Sequence, residues 1–254
     1  MYDDFSEDYD RFVNWTGRLA YEMPFLELHL AHYAPGDSIL DSACGTGMHA
    51  IALAQKGYAS AGADLSPKMV ARARANALQA GASVRFETAG FGEMAKTFGA
   101  YSFSAVLCLG NSLPHLLSET ELARAISDFV ACLKPGGSLI LQNRNFDAVV
   151  KHRERWMEPQ SYREGEKEWL FLRFYDYEAD GLISFNIANL RREGDRPWQQ
   201  HVMTTSLRPL LQEETQRLLK KAGFTEIACY GDMSGSPFNP EASGNLVTVA
   251  RKAT

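Results

Sequence analysis

The chain has 254 residues, 45% of them hydrophobic and 22% charged, a balance that excludes a disordered chain and leaves room for one domain with an insertion. A net charge of −5 argues against a face built to bind nucleic-acid phosphates and favours a small-molecule partner. The acidic opening Met1-Tyr2-Asp3-Asp4-Phe5 is unlike a secretory signal, and apolar runs such as residues 105–109 fall far short of a membrane span, so a cytoplasmic protein without a membrane partner is expected, monomeric or homodimeric.

In chain order, Phe12, Trp15, Leu19, Met23, Leu26 and Leu30 recur at three- and four-residue spacing and predict a helix over residues 9–33, stopped by Pro35-Gly36. Residues 38–40 read as a strand ending in Asp41 and a glycine-rich turn, and residues 49–56 as a helix. The unit repeats with a strand at 60–63, a helix at 66–80 and a strand at 84–88. A fourth strand follows at 105–109, a helix at 119–133 ended by Lys134-Pro135-Gly136-Gly137, and a fifth strand at 138–142. Alternation of this kind predicts a parallel sheet with helices on both faces. Past Asp147 the texture turns aromatic and β-branched at 169–177, 183–190 and 198–206. Asp180-Gly181 and Gly194-Asp195 lie between these runs, the pattern of an antiparallel meander. A helix at 211–222 and strands at 227–230 and 246–250 close the chain. Cys44, Cys108, Cys132 and Cys229 show neither CxxC nor zinc-finger spacing, so reduced, mostly buried thiols and no metal are expected.

The most informative stretch is Ile39-Leu40-Asp41-Ser42-Ala43-Cys44-Gly45-Thr46-Gly47. Its glycines let the backbone turn sharply and admit a ligand against bare N–H groups at a helix start. Gly45, Gly47 and Ala50 fit GxGxxA, a short pattern that a structural turn also satisfies. Asp41 would repel a pyrophosphate but can accept hydrogen bonds from a cation's amino group or its bound water, so a ligand positively charged nearby is expected. Asp64 ends the second strand, where a carboxylate can accept both ribose hydroxyls. Its alternative is a helix cap together with Ser66, ahead of Pro67.

This loop, Gly62-Ala63-Asp64-Leu65-Ser66 and Leu133-Lys134-Pro135-Gly136-Gly137 together resemble the class I S-adenosylmethionine-dependent methyltransferases. The resemblance implies an α/β fold: a doubly wound, mostly parallel seven-stranded Rossmann-like sheet with an antiparallel β insertion after strand five. Residues 1–36 would form a helical cap, 37–147 and 208–254 the cofactor domain, and 148–207 the insertion. It implies S-adenosylmethionine as cofactor, with Gly45 and Gly47 passing the methionine part beside Asp41, Ala43 and Leu109. Asp64 would hold the ribose, and Gly90-Phe91, with packing from Leu65 and Met69, would cover the adenine. Two acids common in that class are replaced here, by Ala89-Gly90-Phe91 after strand three and by Ser104 at the start of strand four.

Strand four runs into Gly110-Asn111-Ser112-Leu113-Pro114-His115-Leu116 and strand five into Asn143-Arg144-Asn145-Phe146-Asp147. Ligands of doubly wound sheets sit beyond such strand ends, which sends Asn111, Ser112 and His115 toward the reacting group, although His115 also reads as a packed or capping residue. A guanidinium at Arg144 calls for an anion, either a substrate carboxylate or an internal partner such as Asp147 or Glu154. The two segments are similar to those of glycine and sarcosine N-methyltransferases. By that resemblance Arg144 clamps an amino-acid carboxylate and Asn111 and His115 line the site. Tyr162 falls about where that subfamily has an active-site tyrosine, Arg18 meets the methionine carboxylate and Tyr9 closes over the pocket. The implied activity is methylation of the nitrogen of a small, carboxylated amine. Rival readings are O-methylation with His115 as general base, a nicotinamide-dependent reductase, and a non-catalytic cofactor-binding protein.

Overall fold

The structure is a computed structural model that describes residues 9–254. The helix expected over 9–33 is two, α1 (Tyr9–Phe12) and α2 (Trp15–Leu30). Asn14 makes the break, because its side chain accepts the Gly17 N–H at 3.1 Å and caps a new helix start. Then follow β1 (Ser38–Asp41), α3 (Met48–Gln55), β2 (Ala59–Asp64), α4 (Pro67–Gln79), β3 (Arg85–Thr88), α5 (Met94–Phe98) and β4 (Phe103–Cys108). Next come α6 (Glu119–Cys132), β5 (Leu133–Arg144) and α7 (Phe146–His152), then the strands β6 (Gln160–Glu164), β7 (Lys167–Tyr177), β8 (Ile183–Glu193) and β9 (Gln199–Leu207). The chain closes with α8 (Gln212–Lys221), β10 (Phe224–Tyr230) and β11 (Asn245–Lys252).

Seven strands form one sheet in the order β10-β11-β5-β4-β1-β2-β3. All neighbours are parallel except β11, which is antiparallel to both β5 and β10. Every residue of β4 is buried, as expected where helices cover both faces of a central strand. The strand order reverses between β1 and β4, and the cleft beyond the carboxyl ends of these two strands is where such sheets take their ligands.

Helix starts follow the sequence closely. Ser66 accepts the Met69 N–H at 3.1 Å with Pro67 in the first turn of α4, and Ser118 and Glu121 form a reciprocal capping box on α6. β5 begins five residues before its apolar run, with a register slip against β4 between Phe103 and Ala105. Gly137 is required there, since a Cβ would lie 2.9 Å from the Lys134 carbonyl oxygen.

β6 to β9 form a separate antiparallel meander. Trp169, Phe171, Ile187 and Met203 pack with Tyr9 and Phe12, and Tyr175, Ile183 and Leu207 pack with Phe146 and Val149 of α7. The small sheet therefore rests on α1 at one end and on α7 at the other. No helix among the described residues is long and apolar enough to cross a membrane.

Candidate active site

Two cavities meet over the carboxyl ends of β1 and β4. The larger, about 810 Å³, is bounded by Ala43 and Gly45 after β1, Asp64 at the end of β2 and Leu65 after it, and Gly90 and Phe91 after β3, with Met69 from α4. The smaller, about 270 Å³, is bounded by Arg18, Asn111, Arg144, Arg173 and Tyr175. Tyr9, Gly110 and His115 face both, so these three residues stand where the cavities meet.

Asp64 serves its own turn and the cavity at once. Its Oδ2 accepts the Gly45 N–H and its Oδ1 the Ser66 N–H, each at 2.9 Å, while the cap of α4 falls to Ser66. Gly45 has φ +53° and faces the Tyr9 ring. Gly47 does not bound the cavity: a Cβ there would lie 2.7 Å from Phe86 and 2.8 Å from Ala73, so this glycine lets α3 start against β3 and α4.

Asp41 is buried under the loop, and its Oδ1 has no hydrogen-bond partner. Burial pushes its carboxyl up to about 6, although His49, the Ala43 N–H and Arg18 oppose this. A carboxylate left in this state suits a cation brought by a ligand. Leu109 is core, packed with Ile39, Leu107 and Val247, and sits behind the cavity wall.

Glu22 of α2 ties the helical cap to α3. Its Oε2 takes the Arg18 Nε at 3.0 Å and meets His49 Nε2 at 2.6 Å. Burial alone would raise the Glu22 carboxyl, but the His49 hydrogen bond and the Arg18 charge hold it below its ordinary value. Arg18 is thereby placed beside Gly110, with Nη2 3.5 Å from where a Cβ would stand.

Asn111 adopts φ +67°, an αL turn that asparagine tolerates, and its Oδ1 accepts the Arg144 N–H at 2.9 Å. Arg144 Nη2 pairs with Glu154 at 3.1 Å, while its Nε is buried without a hydrogen-bond partner. The internal partner anticipated for this residue is therefore Glu154, and one guanidinium donor remains unused. Burial pulls the His115 imidazole down to about 4. Tyr162 is not brought to the site: it lies on the edge strand β6, exposed, with its ring 5.8 Å from that of Trp169.

Several wall residues escaped the sequence reading. Glu93 lines the larger cavity and its Oε2 accepts the Gly90 N–H at 3.0 Å, so a carboxylate stands near the place of the acid missing after β3. Gln142 accepts the Gly110 N–H at 2.7 Å. Arg173 and Tyr175 come from β7, where strict alternation puts them on the face of Trp169 and Phe171, a signal present in the sequence. Ser104 is at the opposite end of its strand, donating to Asp37 at 2.7 Å. Among the described residues no group of three or more His, Cys, Asp or Glu is placed to hold a metal ion.

Comparison with known proteins agrees with this geometry. Residues 39–137 match a family described as a methyltransferase domain. The chain is 30% identical over 254 residues, 98% of its length and 88% of the relative's, to a glycine/sarcosine N-methyltransferase of Aphanothece halophytica. In fold it is similar to an S-adenosylmethionine-dependent methyltransferase from Clostridium acetobutylicum, with TM-score 0.79 at 18% identity, covering 100% of this chain and 99% of the other. It is also similar to an amino pentose methyltransferase from Micromonospora echinaspora solved with S-adenosylmethionine bound, with TM-score 0.70 at 20% identity over 96% and 93% of the two chains. The chain belongs to the S-adenosylmethionine-dependent methyltransferases.

Proposed function

We propose that the protein methylates the nitrogen of a small amine that also carries a carboxylate, of the glycine or sarcosine kind. The observation that carries this reading is Arg144: a guanidinium in the wall of the smaller cavity, with a buried Nε donor unused. An anion supplied by the acceptor satisfies it, and the similarity to a glycine/sarcosine N-methyltransferase points the same way.

When bound, S-adenosylmethionine supplies a methyl group on a cationic sulfur. The residues of the larger cavity fit such a group: Asp64 and Glu93 offer carboxylates, Asp41 holds an orphaned carboxylate oxygen beneath it, and Leu65, Met69 and Phe91 offer apolar surface. The remaining work is positioning and protonation. Held geometry can lower a two-reactant barrier by about 7–11 kcal/mol in favourable cases, and Tyr9, Gly110 and His115, which line both cavities, stand where donor and acceptor would meet. The Arg144 charge disfavours an ammonium beside it and so leaves the amine lone pair free.

His115 supports this reading over O-methylation. An imidazole pulled down to about 4 is neutral at pH 7 but is a weak base for a hydroxyl, whereas a good general base titrates near the working pH. The test is turnover with S-adenosylmethionine and a panel of glycine, sarcosine, methylamine, an amino sugar and a phenol, with wild type and Arg144→Ala. We expect the carboxylated amines to be preferred and Arg144→Ala to abolish that preference. Equal use of methylamine, or a preference for the phenol, contradicts the proposal.

A further inference from the structure

The smaller cavity carries more positive charge than the Arg144 clamp explains. Three guanidiniums face it, Arg18, Arg144 and Arg173. Arg18 is matched by Glu22 at 3.0 Å and Arg144 by Glu154 at 3.1 Å. Arg173 has no carboxylate within ion-pair distance among the described residues. Its guanidinium lies over the Phe12 ring at 5.1 Å, and its Nε is buried without a hydrogen-bond partner.

Its place in the strand makes this unusual. Along β7 the side chains of Trp169, Phe171, Arg173 and Tyr175 alternate onto one face, and the other three are buried, at 1%, 0% and 2% exposure. A cation inserted into such a stripe costs desolvation unless a counter-charge arrives. Burial, with the Arg144 charge adding to it and Tyr175 opposing, draws Arg173 below its ordinary value. The phenol of Tyr175, pushed up to about 12 chiefly by burial, stays neutral and supplies no counter-ion.

We propose that Arg173 is a second binding residue for the acceptor's carboxylate, closing on it from the small sheet while Arg144 holds it from the end of β5. The proposal rests on the carboxylated-amine reading above and adds to it: acceptor choice is shared between the two sheets. Arg144 already has a carboxylate partner in Glu154, so Arg173 is the cation whose charge the acceptor balances. An acceptor lacking an acidic group would leave it uncompensated.

The experiment is steady-state kinetics of the full chain with sarcosine and with methylamine, for wild type, Arg173→Gln, Arg173→Lys and Arg144→Gln. Calorimetric binding of S-adenosylhomocysteine runs in parallel. Charge-assisted hydrogen bonds of this kind predict a KM for sarcosine raised about 10- to 100-fold in Arg173→Gln. The kcat should change little, affinity for S-adenosylhomocysteine should be retained, KM for methylamine should not move, and Arg173→Lys should recover part of the loss. The lysine variant keeps a charge and a long stem, so it reports even if the glutamine variant folds poorly. An unchanged sarcosine KM in both Arg173 variants, with Arg144→Gln impaired, overturns the proposal and leaves the carboxylated-amine reading standing. Wild-type turnover of methylamine but not of sarcosine overturns both.

Discussion

Asp41 and His115 show burial acting on two single side chains with opposite sign. Asp41 holds its proton more tightly folded, at about 6, than an exposed aspartate with its ordinary value of 3.8. Stability from this group is therefore full below about pH 4 and is lost as pH rises through about 6. At pH 7 the ligand-free protein bears an ionised, half-unpartnered carboxylate, and Asp41→Asn should raise its stability by up to about 3 kcal/mol. Binding of a cationic cofactor favours the ionised form, so S-adenosylmethionine affinity should rise with pH between 5 and 7 in wild type and stay flat in the variant. Thermal melts and titrations across that window check both; a variant less stable than wild type at pH 7 would show that Asp41 is held by partners instead. His115, neutral above about 4, should contribute no limb to the pH profile of turnover between 5 and 8. His115→Asn should keep kcat within about tenfold, against the 10²–10⁴-fold loss expected of a general base.

Among the elements, α7 carries a signal easily misread. Asn145 in Asn143-Arg144-Asn145-Phe146-Asp147 reads as the tail of a strand, yet its side chain starts a helix, accepting the Ala148 N–H at 3.4 Å. Its Nδ2 also donates to the carbonyls of Asn239, Pro240 and Ser243, at 3.3, 3.1 and 2.9 Å. One buried amide thus joins β5, α7 and the loop before β11. Asn145→Ala leaves these groups unpaired and should cost about 2–4 kcal/mol, read as a lower denaturation midpoint in urea with an unchanged slope. The parallel strands and the long helices were legible because their apolar runs and caps are local: Ser66 and Ser118 mark two helix starts outright. α7 and β6 were not, the first because seven residues carry too little periodicity and the second because all five of its residues are exposed.

At the scale of the whole molecule, the larger cavity was readable from the strand ends of the parallel sheet, since Asp64 ends β2 and Gly45 and Gly90 follow β1 and β3. The smaller cavity was only half readable. Asn111, His115 and Arg144 come from strand ends, but Arg173 and Tyr175 arrive from a second sheet whose docking on α1 and α7 depends on long-range packing, such as Phe12 against Phe171 at 5.3 Å. Tyr162, placed by a loose correspondence through the same insertion, fell outside the site for that reason. Gly47 matched the glycine pattern yet serves packing against Phe86, a distinction that spacing alone does not carry. Because Arg144 lines the smaller cavity and not the larger, donor binding should survive loss of the acceptor clamp: Arg144→Ala should retain the thermal stabilisation that S-adenosylhomocysteine gives wild type, about 2.7 kcal/mol at a hundredfold excess over Kd.

The proposed reaction requires a methyl group to cross at Tyr9, Gly110 and His115 to an amine whose carboxylate is held beyond. Purified protein given methyl-labelled S-adenosylmethionine with sarcosine should transfer label to nitrogen in a saturable reaction that acetate inhibits competitively. Label reaching only acceptors without an acidic group, with acetate ineffective, would contradict it.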